Sequence, residues 1–446
     1  MTEPGRRYKS WLLILLVATY ACAFVDRIIV AVVGPALRRE LALTDLEFGL
    51  LGGMAFALFY SAFGLPVARL AERRNRVGII SLSVALWSVM TVLSGAVTNY
   101  WQLLLCRMGV GVGEAGGNAP AHSLISDYYS PTRRASALAV YSAGVPLGVM
   151  IGAGFGGFAA ERFGWRAAFL LAGAPGLLLA LLVWLTIDEP ERGASDVVEA
   201  AGEAPPLRDV WRRLSTTATF VHIVAACSLT TVAGNGTTTF APSYFVRQFG
   251  MGMGEVGLSY GLILGVAGMT GILTGGLVVQ AASRRDVRWY AWVPAAGAIV
   301  AVPLYFLAYS QDSSSAALTF SLVAALSLSL YVAPSFALVQ NLAPARMRAS
   351  AAALTLLAMN VLGQGVGPAV MGWVSDLAAA RQFVGGNYAT TCFSHPAGDI
   401  AKACEDASAA GVRFALTGVL VFLLWGALHF VLAGRSISRD LEVSRS

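Results

Sequence analysis

Four ionisable side chains interrupt stretches that are otherwise apolar: Asp26 and Arg27 in one stretch, Arg107 and Glu114 in another. In hydrocarbon each costs roughly 2.5–3.5 kcal/mol on insertion scales, so such residues face a bundle interior or a water-filled cavity. Arg107 and Glu114 are about two helical turns apart and share a helix face, which Asn118 extends. Asp26 and Arg27 are adjacent, point about 100° apart and need not reach the same cavity. A carboxyl in a low-dielectric cavity can exchange a proton near neutral pH, and its neutral form no longer attracts a neighbouring arginine. Proton binding is thereby coupled to helix rearrangement, or to freeing an arginine for an anionic group. The competing account is a buried ion pair that only orders this part of the chain. Apolar packing would meet that need at lower cost.

The elements that must hold these residues are membrane helices. Of 446 residues, 57% are hydrophobic and 13% charged, whereas soluble domains run near ~25% charged. Apolar runs of spanning length fall at 11–36, 46–70, 77–97, 101–125, 135–159 and 166–187, then at 219–243, 255–281, 289–309, 316–339, 349–375 and 411–433. A polar stretch at 188–217 reads as a cytoplasmic linker. It divides the chain into an N-terminal six-helix bundle, 1–187, and a C-terminal one, 218–446. The first run follows Arg6, Arg7 and Lys9 as a signal peptide would. It continues to residue 36, contains Asp26-Arg27 and lacks a small-x-small cleavage site, so it is expected to be retained as the first span. About two thirds of the 31 Lys and Arg lie in the segments on the side of the termini, which places both termini in the cytoplasm. The net charge of +6 is dispersed in short clusters between spans, a topology signal rather than a nucleic-acid surface.

Internal repetition supports two related halves. Pro131-Thr132-Arg133-Arg134-Ala135-Ser136-Ala137 leads into the fifth run, and Pro344-Ala345-Arg346-Met347-Arg348-Ala349-Ser350-Ala351 into the eleventh. A proline, an arginine pair and Arg-Ala-Ser-Ala at equivalent places in two sets of six runs point to duplication.

Between the second and third runs stands Ala68-Arg69-Leu70-Ala71-Glu72-Arg73-Arg74-Asn75-Arg76. Here the chain resembles the major facilitator superfamily, whose loop signature is Gly-x-Leu-x-Asp-Arg-x-Gly-Arg-Arg; Ala68, Glu72 and Asn75 depart from it. The resemblance implies a cytoplasmic latch. Glu72 would cap the N-terminus of the eleventh span, where the helix dipole favours negative charge. Arg73 and Arg76 would pair with an acid at the inner end of span four, for which Asp127 is the candidate. A basic topology signal alone is compatible with the same residues.

Asp26-Arg27, together with Arg107-Met-Gly-Val-Gly-Val-Gly-Glu114-Ala-Gly-Gly-Asn-Ala-Pro120, is similar to the spinster branch of that superfamily. Ser126-Asp127-Tyr128-Tyr129, Gly164-Trp165-Arg166 and Glu189-Pro190-Glu191-Arg192-Gly193 agree with it. The resemblance implies an all-α membrane protein with the major facilitator superfamily fold, twelve transmembrane helices in two pseudo-symmetric six-helix bundles. It also implies proton-coupled carriage of amphiphiles with a charged head, such as lysophospholipids or sphingosine-1-phosphate. Asp26 and Glu114 would exchange protons, Arg27 would meet an anionic head or an acid, and Arg107 would hold Glu114 or the gate.

Glycines 144, 148, 152 and 156 recur every four residues in the fifth run, a spacing that allows close helix approach; in the superfamily a Gly-Pro-rich fifth span also accompanies antiport. Polar Asn235, Gln340, Asn360 and Gln364 in the second half either line a pathway or bond neighbouring helices. Cys22, Cys106 and Cys227 lie in apolar runs, whereas Cys392 and Cys404 share a long loop assigned to the outside and are candidates for a disulfide. His122, His222, His395 and His429 lack metal-ligand spacing, and no phosphate-binding Gly-Lys-Ser/Thr occurs. No metal, cofactor or nucleic acid is therefore expected. The expected partners are protons, the bilayer and a small amphiphilic or anionic substrate, and the chain is expected to act as a monomer in a bacterial cytoplasmic membrane. A carrier of small organic anions or drugs is the alternative. A polytopic membrane enzyme or sensor would need clustered reactive residues near one membrane face, and none is evident.

Overall fold

The computed structural model describes residues 5–191, 206–344, 347–394 and 397–445. Residues 192–205 of the central linker, including Arg192 and Gly193, lie outside these, as do Ala345 and Arg346 of the second repeat and His395. All regular elements among the described residues are helices. Eleven of them are long and apolar enough to cross a bilayer. In chain order they are α1 (Arg6–Leu41), α2 (Asp45–Arg73), α3 (Arg76–Ser94), α5 (Ser136–Phe163), α6 (Trp165–Thr186), α7 (Ala218–Phe249), α8 (Met253–Ala282), α9 (Trp289–Tyr309), α10 (Ser314–Leu342), α11 (Ser350–Gln382) and α12 (Gly398–Glu442).

The remaining span, α4, is broken. Tyr100–Glu114 and Asn118–Tyr128 are joined by a turn in which the Gly117 N–H donates to the Glu114 carbonyl at 3.1 Å. Neither half alone is long enough to span, and α4 carries two charges, so its hydropathy is weaker than that of its neighbours. Its glycines have a packing reason. A Cβ at Gly111 would lie 2.6 Å from the Phe56 carbonyl oxygen of α2, and one at Gly113 would lie 2.7 Å from the Trp87 nitrogen of α3. Bare backbone lets α4 seat against both helices, which carries Arg107 and Glu114 into the interior.

Local sequence sets the helix ends. Asn75 Oδ1 accepts from the Gly78 N–H at 2.7 Å to open α3, and Asn99 Oδ1 accepts from the Gln102 N–H at 3.0 Å to open α4; such caps satisfy amides that have no partner within the helix. One helix begins at Pro131 and leads into α5, and another begins at Arg348 and leads into α11.

The chain forms two compact units. One comprises Met1–Leu43, Leu50–Ala201 and Met251–Gly261; the other comprises Thr44–Gly49, Gly202–Gly250 and Leu262–Ser446. Each unit thus takes in a short piece from the other half of the sequence. In the first, Leu12, Leu15 and Leu16 of α1 pack with Val77, Ile80, Val84 and Trp87 of α3 and Val183 of α6, the i, i+3, i+4, i+7 stripe of a helix with one buried face. In the second, Phe220, Ile223 and Cys227 of α7 meet Leu338 and Leu342 of α10 and Phe430 and Ile437 of α12. Leu82, Trp101, Leu105, Leu185, Leu273 and Leu277 are exposed, an apolar exterior suited to lipid rather than water.

Candidate functional site

The charged residues of α1 and α4 meet inside the first unit. Asp26 is 0% exposed, Arg107 1% and Glu114 3%. Arg27 directs Nε at 2.7 Å and Nη2 at 2.6 Å onto the same carboxylate oxygen, Oε2 of Glu114. The other oxygen, Oε1, is buried without a hydrogen-bond partner. The resemblance leaves Arg107 to hold Glu114 or the gate, and Arg27 to meet an anionic head or an acid. In the structure Arg27 grips the acid Glu114, whereas Arg107 Nη1 donates to the Asp26 backbone carbonyl at 3.3 Å. Arg107 lies about 10 Å along the helix axis from Glu114 and reaches the α1 backbone instead, while Arg27 approaches Glu114 from α1.

Asp26 and Arg27 face different surroundings, as their 100° separation requires. Neither carboxylate oxygen of Asp26 has a hydrogen-bond partner; Thr91 of α3 lies beside it outside hydrogen-bond geometry, with Arg107 and Glu114 close enough to act through charge. Arg27 instead sits among rings, its guanidinium carbon 4.8 Å from the Phe24 centroid, 4.5 Å from Phe56 and 5.1 Å from Tyr60. Such faces attract a cation and compensate part of its lost hydration.

Arg27 and Glu114 border a small chamber together with Tyr20, Tyr60, Asn118 and Tyr141. Its free space is about 20 Å³, room for about one water. The Tyr141 hydroxyl donates to Asn118 Oδ1 at 2.9 Å, Asn118 Nδ2 donates to the Tyr20 hydroxyl at 3.4 Å, and the Tyr20 and Tyr141 rings stack at 4.5 Å. These tyrosines escaped the sequence reading. Their signal was a phenol within an apolar run, which is common and says nothing of direction.

The glycine stripe of α5 lies on α1 behind this chamber. A Cβ at Gly148 would be 2.2 Å from the Ala21 carbonyl oxygen, so close packing accounts for the stripe.

A second polar cluster lies where α3 begins. Arg76, 1% exposed, pairs with Asp127, donates from Nη1 to Ser123 Oγ at 2.7 Å and from Nε to Glu189 Oε1 at 2.6 Å. Glu189 Oε2 also accepts the N–H groups of Arg76 and Val77 at 2.7 and 3.1 Å, so it caps α3. Glu72 and Arg73, assigned to the same latch from sequence, are exposed, and no ion pair joins them to this cluster among the described residues. Glu189 was visible only as part of a motif, because its partner lies more than a hundred positions away.

In the second unit, Asp45 accepts from Arg247 Nη2 and Nη1 at 2.9 and 3.0 Å and from Ser375 Oγ at 2.7 Å. Asp376 accepts the N–H groups of Asp45 and Leu46 at 2.9 and 2.8 Å. Cys392 and Cys404 are disulfide-bonded, with Cα atoms 5.5 Å apart. His222 and His429 place their Nδ1 atoms 2.9 Å apart. Sequence spacing gave no hint of that contact.

Comparison with known proteins agrees with this architecture. Residues 16–381 match the sequence profile described as Major Facilitator Superfamily. An "MFS-type efflux pump" of Mycolicibacterium smegmatis is 34% identical over 378 residues, 84% of this chain and 85% of that protein. A "Sphingosine-1-phosphate transporter SPNS2" of Danio rerio is 25% identical over 405 residues, 84% of this chain and 79% of that protein. The crystal structure of a bacterial homologue of the human lysosomal transporter spinster, inward-facing and unoccupied, superposes with a TM-score of 0.89 at 31% identity, covering 98% of this chain and 99% of that one. Eleven spanning helices and the broken α4 among the described residues, charges gathered inside the first unit and these likenesses lead to one conclusion: the chain belongs to the major facilitator superfamily and is a spinster-like secondary transporter, a multi-pass membrane protein rather than an enzyme.

Proposed function

We propose that the chain carries an amphiphile with a charged head across the membrane by alternating access, driven by proton exchange at Asp26 and Glu114. The observation that carries this reading is the Arg27–Glu114 pair beside an aromatic chamber, its carboxylate buried with one oxygen unpartnered and its guanidinium part-buried. Protonation of Glu114 would cancel its hold on Arg27 and leave a guanidinium available to an anionic head, with the rings of Phe24, Phe56 and Tyr60 as the apolar surround. Asp26, with no hydrogen-bond donor on either oxygen, would serve as the second proton acceptor, reporting to Arg107 through charge. The sphingosine-1-phosphate relative supports a lipid substrate; the efflux-pump relative supports a second reading, export of small drug-like molecules.

Reconstituted vesicles test both. With an imposed pH gradient, labelled lysophospholipid should move, and Glu114→Gln and Asp26→Asn should each cut gradient-driven transport by about tenfold or more, the factor that ~1.4 kcal/mol of barrier gives. Full pH dependence in both variants would sink the proton reading. Movement of small acids or drugs with no lysophospholipid flux would favour the second substrate class.

A further inference from the structure

The second unit carries an amphipathic recess remote in sequence from the charged residues of α1 and α4. Its polar part is a cavity of about 520 Å³ bordered by Arg247, Gln248, Ser310, Gln382, Asp406 and Arg413. Its apolar part is a groove of about 590 Å³ between α9 and the middle of α12, lined by Val302, Pro303, Leu307, Leu420, Val421 and Leu424. Phe306 and Thr417 border both, so the two compartments run together. Each is within the ~300–1,000 Å³ of ordinary ligand sites.

The charges in the polar part define what fits. Arg247 is neutralised by its two hydrogen bonds to Asp45. Arg413 and Asp406 are exposed, and among the described residues neither forms an ion pair within the chain. They stand two turns apart on one face of α12, about 10 Å along its axis. The cavity therefore offers one cation and one anion, with amide and hydroxyl groups at Gln248, Gln382 and Ser310. That pattern complements a zwitterion. The adjoining groove has no charged group and opens on the lipid-facing exterior, where Phe306, Leu307, Val421 and Leu424 are exposed.

We propose that this recess binds a zwitterionic membrane phospholipid. The phosphate lies against Arg413, the ammonium against Asp406, and one acyl chain lies in the groove between α9 and α12. It is a resident lipid site on the second unit, independent of proton exchange at Glu114.

The test uses the full-length protein purified in detergent and titrated with phosphatidylethanolamine, phosphatidylglycerol or diacylglycerol of identical chains, with bound lipid counted by native mass spectrometry. Phosphatidylethanolamine should be retained best. Arg413→Gln and Asp406→Asn should each weaken its retention about tenfold, equivalent to ~1.4 kcal/mol. Asp406→Asn should also narrow the gap to phosphatidylglycerol, because it removes an acid facing the anionic head. Leu424→Trp, which fills the groove, should reduce retention of all three lipids. Both charge variants lie at exposed positions, where substitutions rarely disturb the fold. Retention of phosphatidylglycerol or diacylglycerol equal to phosphatidylethanolamine, or unchanged phosphatidylethanolamine in both charge variants, overturns the proposal. Glu114→Gln should leave all three retentions unchanged, which separates this site from the transport chemistry.

Discussion

The two buried acids differ in what holds them, and their substitutions should differ accordingly. Glu114 receives two donors from Arg27, so Glu114→Leu strands a part-buried guanidinium and should cost about 1–3 kcal/mol. Glu114→Gln keeps an acceptor and should cost much less. Asp26 has no donor on either oxygen, so Asp26→Asn removes a group that burial disfavours in its charged form without breaking a bond. Thermal unfolding in detergent should therefore fall sharply for Glu114→Leu and hold steady or rise for Asp26→Asn. A sharp fall for Asp26→Asn would mean that the carboxylate has a partner in solution. That these four residues face inward was legible from their types, since charge in an apolar run has few alternatives. Their pairing was not, because it depends on which way α1 and α4 are rotated against each other.

Helix contacts can be tested along α5, which offers its own control. Gly148 and Gly154 are both glycines of this helix, but a Cβ at Gly148 would meet the Ala21 carbonyl at 2.2 Å, whereas one at Gly154 would first meet Leu258 Cδ1 at 3.7 Å. Gly148→Ala should force α1 and α5 apart at a cost of about 1–3 kcal/mol, lowering the melting temperature and disturbing the chamber that α1 lines. Gly154→Ala should be neutral, and equal effects of the two would show that helix propensity rather than contact governs the stripe. The four-residue period announced a close approach. It did not say which helix approaches, since spacing describes one element and a contact needs two.

The whole chain divides less simply than its hydropathy. Residues 44–49 belong by sequence to the first half, yet they pack in the second unit, where Asp45 binds Arg247 and Ser375 and Asp376 binds the amides of Asp45 and Leu46. This tether should loosen in Arg247→Ala. A thiol introduced by Leu46→Cys should then react faster with a membrane-impermeant maleimide, by about tenfold or more if the ion pair contributes the ~1.4 kcal/mol of a charged hydrogen bond. An unchanged labelling rate would show that packing alone holds the segment. Sequence by itself determined the number of crossings, the duplication and the residues that had to be hidden, because hydrocarbon excludes charge and unpaired backbone wherever they occur along the chain. Only the tertiary structure decided that Arg27 rather than Arg107 holds Glu114, that Glu189 caps α3 beside Arg76, and that Tyr20, Tyr60 and Tyr141 close the chamber. Those choices depend on helix rotation and on partners up to a hundred or more positions apart, which local pattern does not encode.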